Sequence, residues 1–466
     1  MTELAPVETE ATDRVDAEVS LLIGLREAVA GGDAVRARAC AVQMLEEDAL
    51  ALLEDLRPAE LSRLFAIVGD EALAQLLGRL DDRDAAGILS RMSAAQAADI
   101  LEEIDPDDAT DIVDEIDEID PAVAEGILVA MEPAEAAEIR DLMAYPADTA
   151  GGIMTPAFVA ISPDLRADEA VAALRRVAEE AETVNYVYVV DPNEKLLGVL
   201  SLHALVLTRS TTPVRDLIVR DVITVPVDAD QEEAARILTE RDLLALPVVD
   251  HDGRLLGIIT ADDVADVLEA EATEDIERLG GSQPLEEPYL RASPILLFRK
   301  RIVWLLVLFL AQFVTIAVLD HYEADLAQAT VLSLFVPILI GTGGNVGSQT
   351  VTTIIRAMAV GEAAPRHALR IVGKEMTTAL ALGATMAVLM FFRGFFNSDG
   401  GTRLGLTVGA TVLALTVWAA MVGALLPLGL SKLRVDPAVV SAPFITSLVD
   451  GTGLIIYFTM ANLFFL

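Results

Sequence analysis

The strongest constraint on this chain is that five long apolar runs crowd its final third, at roughly residues 300–319, 328–356, 372–393, 405–430 and 438–465. A stretch of about 20 apolar residues matches the hydrocarbon thickness of a bilayer, and inside lipid a helix satisfies its own backbone, so each run is expected to span a membrane. Basic residues sort to one set of ends. Arg299, Lys300, Arg301, Arg356, Arg366, Arg370, Lys374, Lys432 and Arg434 flank the runs on one side, against only Arg393 and Arg403 on the other. The first loop on the poor side is acidic, with Asp320, Glu323 and Asp325. Cytoplasmic loops carry the excess of Lys and Arg, so residues 1–294 are expected in the cytoplasm, ahead of a bacterial-type cytoplasmic membrane.

What precedes the runs is as acidic as they are apolar. Of 466 residues 33 are basic and 73 acidic; from Arg291 onward the counts are 12 and 8, which leaves 21 and 65 before it, a net of −44 against +4. Such a field repels nucleic acid and anionic lipid and attracts cations. The four lysines, Lys195, Lys300, Lys374 and Lys432, also suit adaptation to a salty environment, and the two readings are compatible. Cys40 is the only cysteine, so neither an intramolecular disulfide nor a thiolate metal site can form. The acidic start, Met1 to Asp16, has no basic segment and apolar core of a secretory signal.

Two internal repeats organise the acidic part. Leu56-Arg-Pro-Ala, Leu80-Asp-Asp-Arg, Met92-Ser-Ala-Ala and Ile104-Asp-Pro-Asp recur on a step of twelve, each followed by an amphipathic stretch. Ser93 and Asp105 are N-cap residue types and Pro106 suits the first helical position. Short helices stacked into a right-handed superhelical array are expected until about Leu142. A second repeat has a step of 59: Val189-Val-Asp191 through Gly198-Val-Leu-Ser201 matches Val248-Val-Asp250 through Gly257-Ile-Ile-Thr260 without a gap. Each copy holds two β-branched runs around a turn, with helical stretches on either side, and the pair resembles tandem CBS domains. The fold class is therefore multidomain: an α-helical superhelical N domain, an α/β tandem CBS pair and a five-helix α transmembrane pore domain. The expected divisions are a flexible acidic tail at 1–20, the helical repeat domain at 21–145, CBS copies at 146–210 and 211–270, a linker helix at 271–294 and the spans at 295–466.

Asp450 is the residue with the sharpest chemistry, because it stands in Ala442-Pro-Phe-Ile-Thr446-Ser-Leu-Val-Asp450-Gly-Thr-Gly453, inside the last apolar run. A charge at mid-bilayer costs at least roughly 2.5 kcal/mol and is a functional site by default. The plainer reading is a carboxylate at the membrane edge or one neutralised by Arg or Lys. Against it, the nearest preceding basic residue is Arg434 and none follows. The second run contains Gly341-Thr-Gly343-Gly344-Asn345-Val-Gly-Ser-Gln349, rich enough in Gly and polar groups to suggest irregular backbone lining a cavity. Carbonyls of Gly343 and Gly344, with the Asn345 amide, would then face a hydrated cation; close helix packing by small residues is the alternative. A phosphate-binding loop is disfavoured by the lack of a following Gly-Lys-Ser/Thr.

With these words in place the chain closely resembles the MgtE family of magnesium channels. The resemblance runs from the helical array through both CBS copies to the spans, and is carried most specifically by Gly341 to Gln349, Ile354-Ile-Arg356-Ala, Leu268-Glu-Ala-Glu-Ala-Thr-Glu-Asp275 and Asp436-Pro-Ala-Val-Val-Ser441. It implies a homodimer in the lipid bilayer with the pore on the twofold axis, so that Asp450 becomes a carboxylate pair holding a hydrated Mg2+. It also implies regulatory Mg2+ between acidic surfaces. Asp107, Asp108 and Asp111 supply one; Asp263, Asp266, Glu271, Glu274 and Asp275 supply the other; Glu232, Asp242 and Asp436 match further ligand positions. High internal Mg2+ would draw the helical array onto the CBS pair and close the pore through a linker helix near 276–294. In a generic protein such acidic faces are solvated surface. The chain departs from the family at Ala442, where Asn is common, and at Thr446, where Ala is common, which alters the polar lining at the cytoplasmic end. CBS pairs also hold adenine nucleotides: Thr260-Ala-Asp-Asp263 fits the ribose-binding signature, Ser201-Leu-His-Ala204 does not, so ATP has one candidate site per chain at Thr260 and Asp263. No catalytic residues are implied. The competing functions are a transporter for Co2+ or another divalent cation, and a membrane-anchored Mg2+ sensor.

Overall fold

The computed structural model describes residues 24, 25, 27, 28, 31, 33–43, 53, 64, 67–177, 181–285, 287–397, 401–433 and 435–466. The expected acidic tail at 1–20, the first twelve-residue word at Leu56 and Arg434 lie outside the described residues. The chain divides into two compact units, Met1–Leu268 and Glu269–Leu466.

In the first unit the step of twelve is a packing period. The described helices are α1 (Ala34–Gln43) and then α2 (Asp70–Leu77), α3 (Asp82–Leu89), α4 (Ala94–Leu101), α5 (Pro106–Ile119), α6 (Pro121–Ala130) and α7 (Pro133–Leu142), the last six following one another through short turns. Leu73, Ala74, Leu76 and Leu77 are buried in α2, and so are the residues twelve and twenty-four further on: Ala85, Ala86, Ile88 and Leu89, then Ala97, Ala98, Ile100 and Leu101. Ala109, Thr110, Ile112 and Val113 continue the series in α5. Each helix thus buries the same stripe in one shared core, as stacked repeats must. Ser93 caps α4 as expected, accepting from Gln96 N–H at 3.4 Å. Asp105 stands at the N-cap of α5 with Pro106 behind it, but its side chain makes no cap hydrogen bond; its carboxyl is instead raised above the usual range by burial and by Asp262.

The step of 59 is a strand register. Strands β1 (Ala160–Ile161), β2 (Tyr186–Val190) and β3 (Leu196–Ser201) form one sheet; β4 (Val225–Pro226), β5 (Ala245–Val249) and β6 (Leu255–Thr260) form another. Tyr186 pairs with Ser201 and Ala245 with Thr260, with register shifts at Val189/Val190 and Val248/Val249. The copies clasp each other through Leu196 N–H to Gly253 O and Leu255 N–H to Glu194 O, both at 3.0 Å. Glu194 and Gly253 occupy matching turn positions with φ of 64° and 81°. Glycine adopts that left-handed backbone freely, whereas Glu194 does so at a cost. Helices α8 (Ala167–Val177), α9 (Leu202–Leu207) and α10 (Gln231–Glu240) accompany the strands, and α11 (Ala261–Leu279) leaves β6.

The expected linker helix near 276–294 is helical only as far as Leu279. Gly281, with φ of 79°, turns the chain, and the stretch to Pro294 carries Pro284 and Pro288, which lack the amide a helix interior needs. Beyond it the five expected spans appear as helices long and apolar enough to cross a membrane: Pro294–His321, Thr330–Ala359, Pro365–Phe395, Gly401–Lys432 and Ala442–Phe464. Their α-helical parts are α12 (Pro294–His321), α14 (Val336–Ala359), α15 (Ala368–Phe395), α16 (Gly401–Lys432) and α17 (Ala442–Phe464), with the short α13 (Glu323–Gln328) after the first. Phe309, Leu310 and Val314 of α12 are exposed, as side chains that face hydrocarbon should be. The bundle is pinned internally by polar side chains: the Tyr457 hydroxyl donates to Leu332 O at 2.8 Å, and Trp418 Nε1 donates to Thr452 Oγ1 at 2.9 Å.

Candidate cation sites

The Gly-rich segment of the second span corrects an expectation. Val336–Ala359 is one uninterrupted α-helix, so the carbonyls of Gly343 and Gly344 belong to a regular helix rather than to a loop. Both glycines are buried, and what they permit is contact: a Cβ on Gly343 would meet Val449 at 2.8 Å, on Gly344 Thr446 at 2.8 Å and on Gly347 Ile445 at 2.6 Å. Small residues let α14 and α17 approach this closely. Asn345 and Gln349 lie on the other face and are exposed. Thr446 sits in the contact, its hydroxyl 3.3 Å from Ser348 Oγ, and Ser348 donates to Ala442 O at 3.3 Å. The two departures at Ala442 and Thr446 therefore change a helix seam.

Asp450 is 6% exposed. Its Oδ2 accepts a long hydrogen bond of 3.4 Å from Gln312 Nε2 of α12, and its Oδ1 is buried without a partner. Among the described residues no basic side chain forms an ion pair with it. Leaving such an atom unsatisfied costs about 1–3 kcal/mol or more for a charged group, which a visiting cation would offset. Gln312 was not singled out in the sequence, nor was Thr315, 7% exposed, whose hydroxyl is likewise buried and unpartnered. The signal was available: they are polar residues three apart in the run from Ile302 to Leu319.

In the first unit the structure gathers Asp107, Asp108 and Asp111 of α5 with Asp263 of α11. Asp107 is pushed up to about 7 by burial, then by Asp263 and Asp108. Asp108 also reaches about 7, through burial and then Asp82, Asp105 and Asp263. Asp111 reaches about 8, through burial and then Asp82, Asp107 and Asp108. Asp82, raised to about 6 by burial, Asp81, Glu115 and Asp266, and Glu182, raised to about 7 by burial, Asp105 and Asp107, join the same field. Asp82, Asp105, Asp262 and Glu182 were not expected members: Asp82 of α3, Asp262 of α11 and Glu182 are far from α5 in sequence and meet it only in the folded unit, while Asp105 is its N-cap residue. Asp107 Oδ1 has no hydrogen-bond partner. Among the described residues no three His, Cys, Asp or Glu converge tightly enough to wrap a bare ion. Glu232 and Asp242 stand at opposite ends of α10, about 15 Å apart at 1.5 Å per residue, so they do not share one ion within a chain.

In the second unit Arg278, near the end of α11, forms ion pairs with both Glu274 and Asp436. Asp275 is raised by burial and by Asp436 and Glu271, with Arg278 acting the other way. Of the expected ligands, Glu274 and Asp436 thus meet at one guanidinium, and Asp275 feels both of them together with Glu271.

The nucleotide expectation also shifts. The Thr260 hydroxyl has Asp262 Oδ1 and Asp263 Oδ2 within reach for its one proton, and Asp263 Oδ2 accepts from Thr260 N–H at 2.8 Å, so these groups bond to one another. A cavity of about 320 Å³ instead opens beside the first copy, lined by Tyr186, Tyr188, Ser201, Asp221, Ala245 and Pro247 among others. The Tyr188 hydroxyl is buried and unpartnered, a polar atom suited to a ligand there.

Five spans with a buried, uncompensated carboxylate, joined to an acidic CBS-bearing half, define a membrane protein built to handle cations. Comparison with known proteins specifies it. The family model described as a divalent cation transporter matches residues 336–460, that of the MgtE intracellular N domain matches 44–148, and CBS models match 150–209 and 214–270. The magnesium transporter MgtE of Thermus thermophilus is 40% identical over 446 residues, 96% of this chain and 99% of its own. That of Enterococcus faecalis is 37% identical over 331 residues, 71% of this chain and 72% of its own. A crystal structure of the soluble part of a magnesium transporter aligns with a TM-score of 0.50 at 32% identity, covering 55% of this chain and 99% of that one. The chain belongs to the MgtE family of divalent cation transporters, a family of transport proteins and not of enzymes.

Proposed function

We propose that this protein is a Mg2+-selective channel or transporter that takes Mg2+ up across the cytoplasmic membrane and is closed by intracellular Mg2+. The observation that carries the reading is Asp450, a buried carboxylate in the last span with one oxygen unpartnered and no ion pair among the described residues, in a chain similar over nearly its whole length to a magnesium transporter. In a homodimer the twofold axis would present this residue twice. Mg2+ sheds water reluctantly, so carboxylates serve it best by accepting hydrogen bonds from its shell while supplying charge. Asn345 and Gln349, exposed on α14, are polar groups available to line such a path.

Closure follows from the acidic field between α5 and α11. Crowded carboxylates repel when ionised and part the surfaces that carry them; a dication supplies the charge that lets them stay together. Asp107, Asp108, Asp111 and Asp263 would hold it, with Asp82, Asp266 and Glu182 around them. Glu271, Glu274, Asp275 and Asp436 form a second candidate place, where Arg278 already supplies one positive charge. ATP would fit the cavity at Tyr188 and Ser201, where it would add phosphate charge to the CBS pair.

Growth rescue of a magnesium-requiring bacterial strain tests the function. The wild-type protein is expected to restore growth at low Mg2+. Asp450→Ala is expected to abolish rescue while eluting from size exclusion as the wild type does. Rescue by Asp450→Ala would defeat the reading. Rescue at low Co2+ instead of low Mg2+ would favour a different divalent substrate.

A further inference from the structure

Gln312 and Thr315 lie three residues apart on α12 and so share a face of that helix, and this face meets α17 at Asp450 and Gly451. Gln312 reaches Asp450 Oδ2. The Thr315 hydroxyl lies against Gly451, where a Cβ would stand 3.6 Å from it. Span threonines ordinarily return the hydroxyl to their own helix, as Thr342, Thr411, Thr416 and Thr459 do to the carbonyl four residues back at 2.7 Å. Thr315 does not, and its oxygen has no partner at all. Two orphaned buried oxygens, Asp450 Oδ1 and Thr315 Oγ1, therefore stand in one seam. Buried polar atoms are nearly always partnered, so the pair indicates a partner that visits.

The chemistry of that partner follows from what the seam offers. Gln312 turns its NH2 group to the carboxylate, because its carbonyl oxygen there would set acceptor against acceptor; its Oε1 is left as another acceptor. The seam thus presents a carboxylate oxygen, a hydroxyl and an amide oxygen, all able to accept. A hydrated divalent cation presents only O–H donors at its surface. A hydrated alkali cation presents the same donors but carries half the charge towards the carboxylate, and so gains less from it.

We propose that Gln312 and Thr315 of the first span are positioning and specificity residues for the Asp450 site: the Gln312 amide fixes the carboxylate through Oδ2, and Thr315 joins Oδ1 in accepting hydrogen bonds from the water shell of the passing divalent cation. The proposal rests on Asp450 being the ion-passing carboxylate, and the test separates the two.

Mg2+ influx is measured against Mg2+ concentration with the full-length protein in vesicles. Thr315→Val and Gln312→Leu are each expected to raise the half-saturating concentration about threefold or more, the worth of one hydrogen bond, with maximal influx little changed. Thr315→Ser, which keeps the hydroxyl, is expected to match the wild type, and Asp450→Asn to lose influx. Wild-type half-saturation in both Thr315→Val and Gln312→Leu, with Asp450→Asn inactive, overturns the proposal and spares the Asp450 reading. A shift in Thr315→Ser as large as in Thr315→Val assigns the effect to packing and overturns it too. Influx through Asp450→Asn overturns both. Should Gln312→Leu fail to fold, judged by size exclusion, Gln312→Met replaces it.

Discussion

Asp450 and Asp107 are both buried carboxylates with no ion pair among the described residues, yet their surroundings differ in the one respect that decides what a cation does there. Asp450 is the one carboxylate of its seam, steadied by one amide from α12 with the Thr315 hydroxyl nearby. Asp107, Asp108, Asp111 and Asp263 are crowded together, each raising its neighbours. One carboxylate per chain would hold a hydrated dication weakly enough to release it, which conduction demands. A crowd of them gains with every added charge neutralised, which suits a lasting bridge. The Glu274, Arg278 and Asp436 node is a third case, in which the protein supplies the cation itself.

The comparison breaks most visibly if the crowd is discharged. With Asp107, Asp108 and Asp111 all changed to Asn, repulsion is gone, so limited proteolysis near residues 140–150 is expected to be equally slow at zero and millimolar Mg2+. In the wild type Mg2+ is expected to slow it by about tenfold, the effect of a preference for the closed state of about 1.4 kcal/mol. Retained Mg2+ dependence in the triple variant would remove the acidic field from the gating account.

Acidity gives the next largest effect. Carboxyls raised by packing are favoured in their neutral form, so their contribution to the metal-free docked arrangement is complete below the ordinary carboxylate range and is lost as pH rises through their shifted values. Those values are about 6 for Asp82, about 7 for Asp107, Asp108 and Glu182, and about 8 for Asp111. Without Mg2+, cleavage near 140–150 is therefore expected to quicken from pH 6 to pH 8, and with Mg2+ to stay slow across that window. Cleavage that slows with rising pH in metal-free protein would reverse the sign of the argument.

The smallest effect belongs to the node with its own cation. Arg278→Gln leaves Glu274, Asp275 and Asp436 facing one another, and the melting temperature without divalent ions is expected to fall by about 2–4 °C. Millimolar Mg2+ is expected to recover it, since a ligand of the folded state stabilises by mass action. A loss that Mg2+ cannot recover would make Arg278 a structural tie alone.

Much of this architecture is written in local pattern. The stripe that repeats from Leu73 to Ala85 to Ala97 to Ala109, the matched registers of Tyr186 with Ser201 and Ala245 with Thr260, and the five apolar runs are periodicities that sequence carries directly. Polar content misled at Gly343 and Gly344, because glycine marks a close approach as readily as an irregular backbone, and only the neighbour distinguishes them: Val449 and Thr446 fill the space. The linker helix failed similarly. The resemblance implied a helix near 276–294, while Gly281 and the prolines set the backbone.

The residues by themselves determined that a carboxylate would be buried in the last span, that acids would dominate the half before the spans, and that two repeats would fold as a helical stack and a paired sheet domain; these follow from transfer free energy and period, which depend on neighbours in the chain. Tertiary structure alone decided that Gln312 would hold Asp450, that Thr315 would stand unpartnered beside it, that Asp82 and Glu182 would join the Asp107 field and that Arg278 would sit between Glu274 and Asp436. Electrostatic and hydrogen-bond partners are set by separations of a few ångströms across elements, and such separations exist only once the helices have packed.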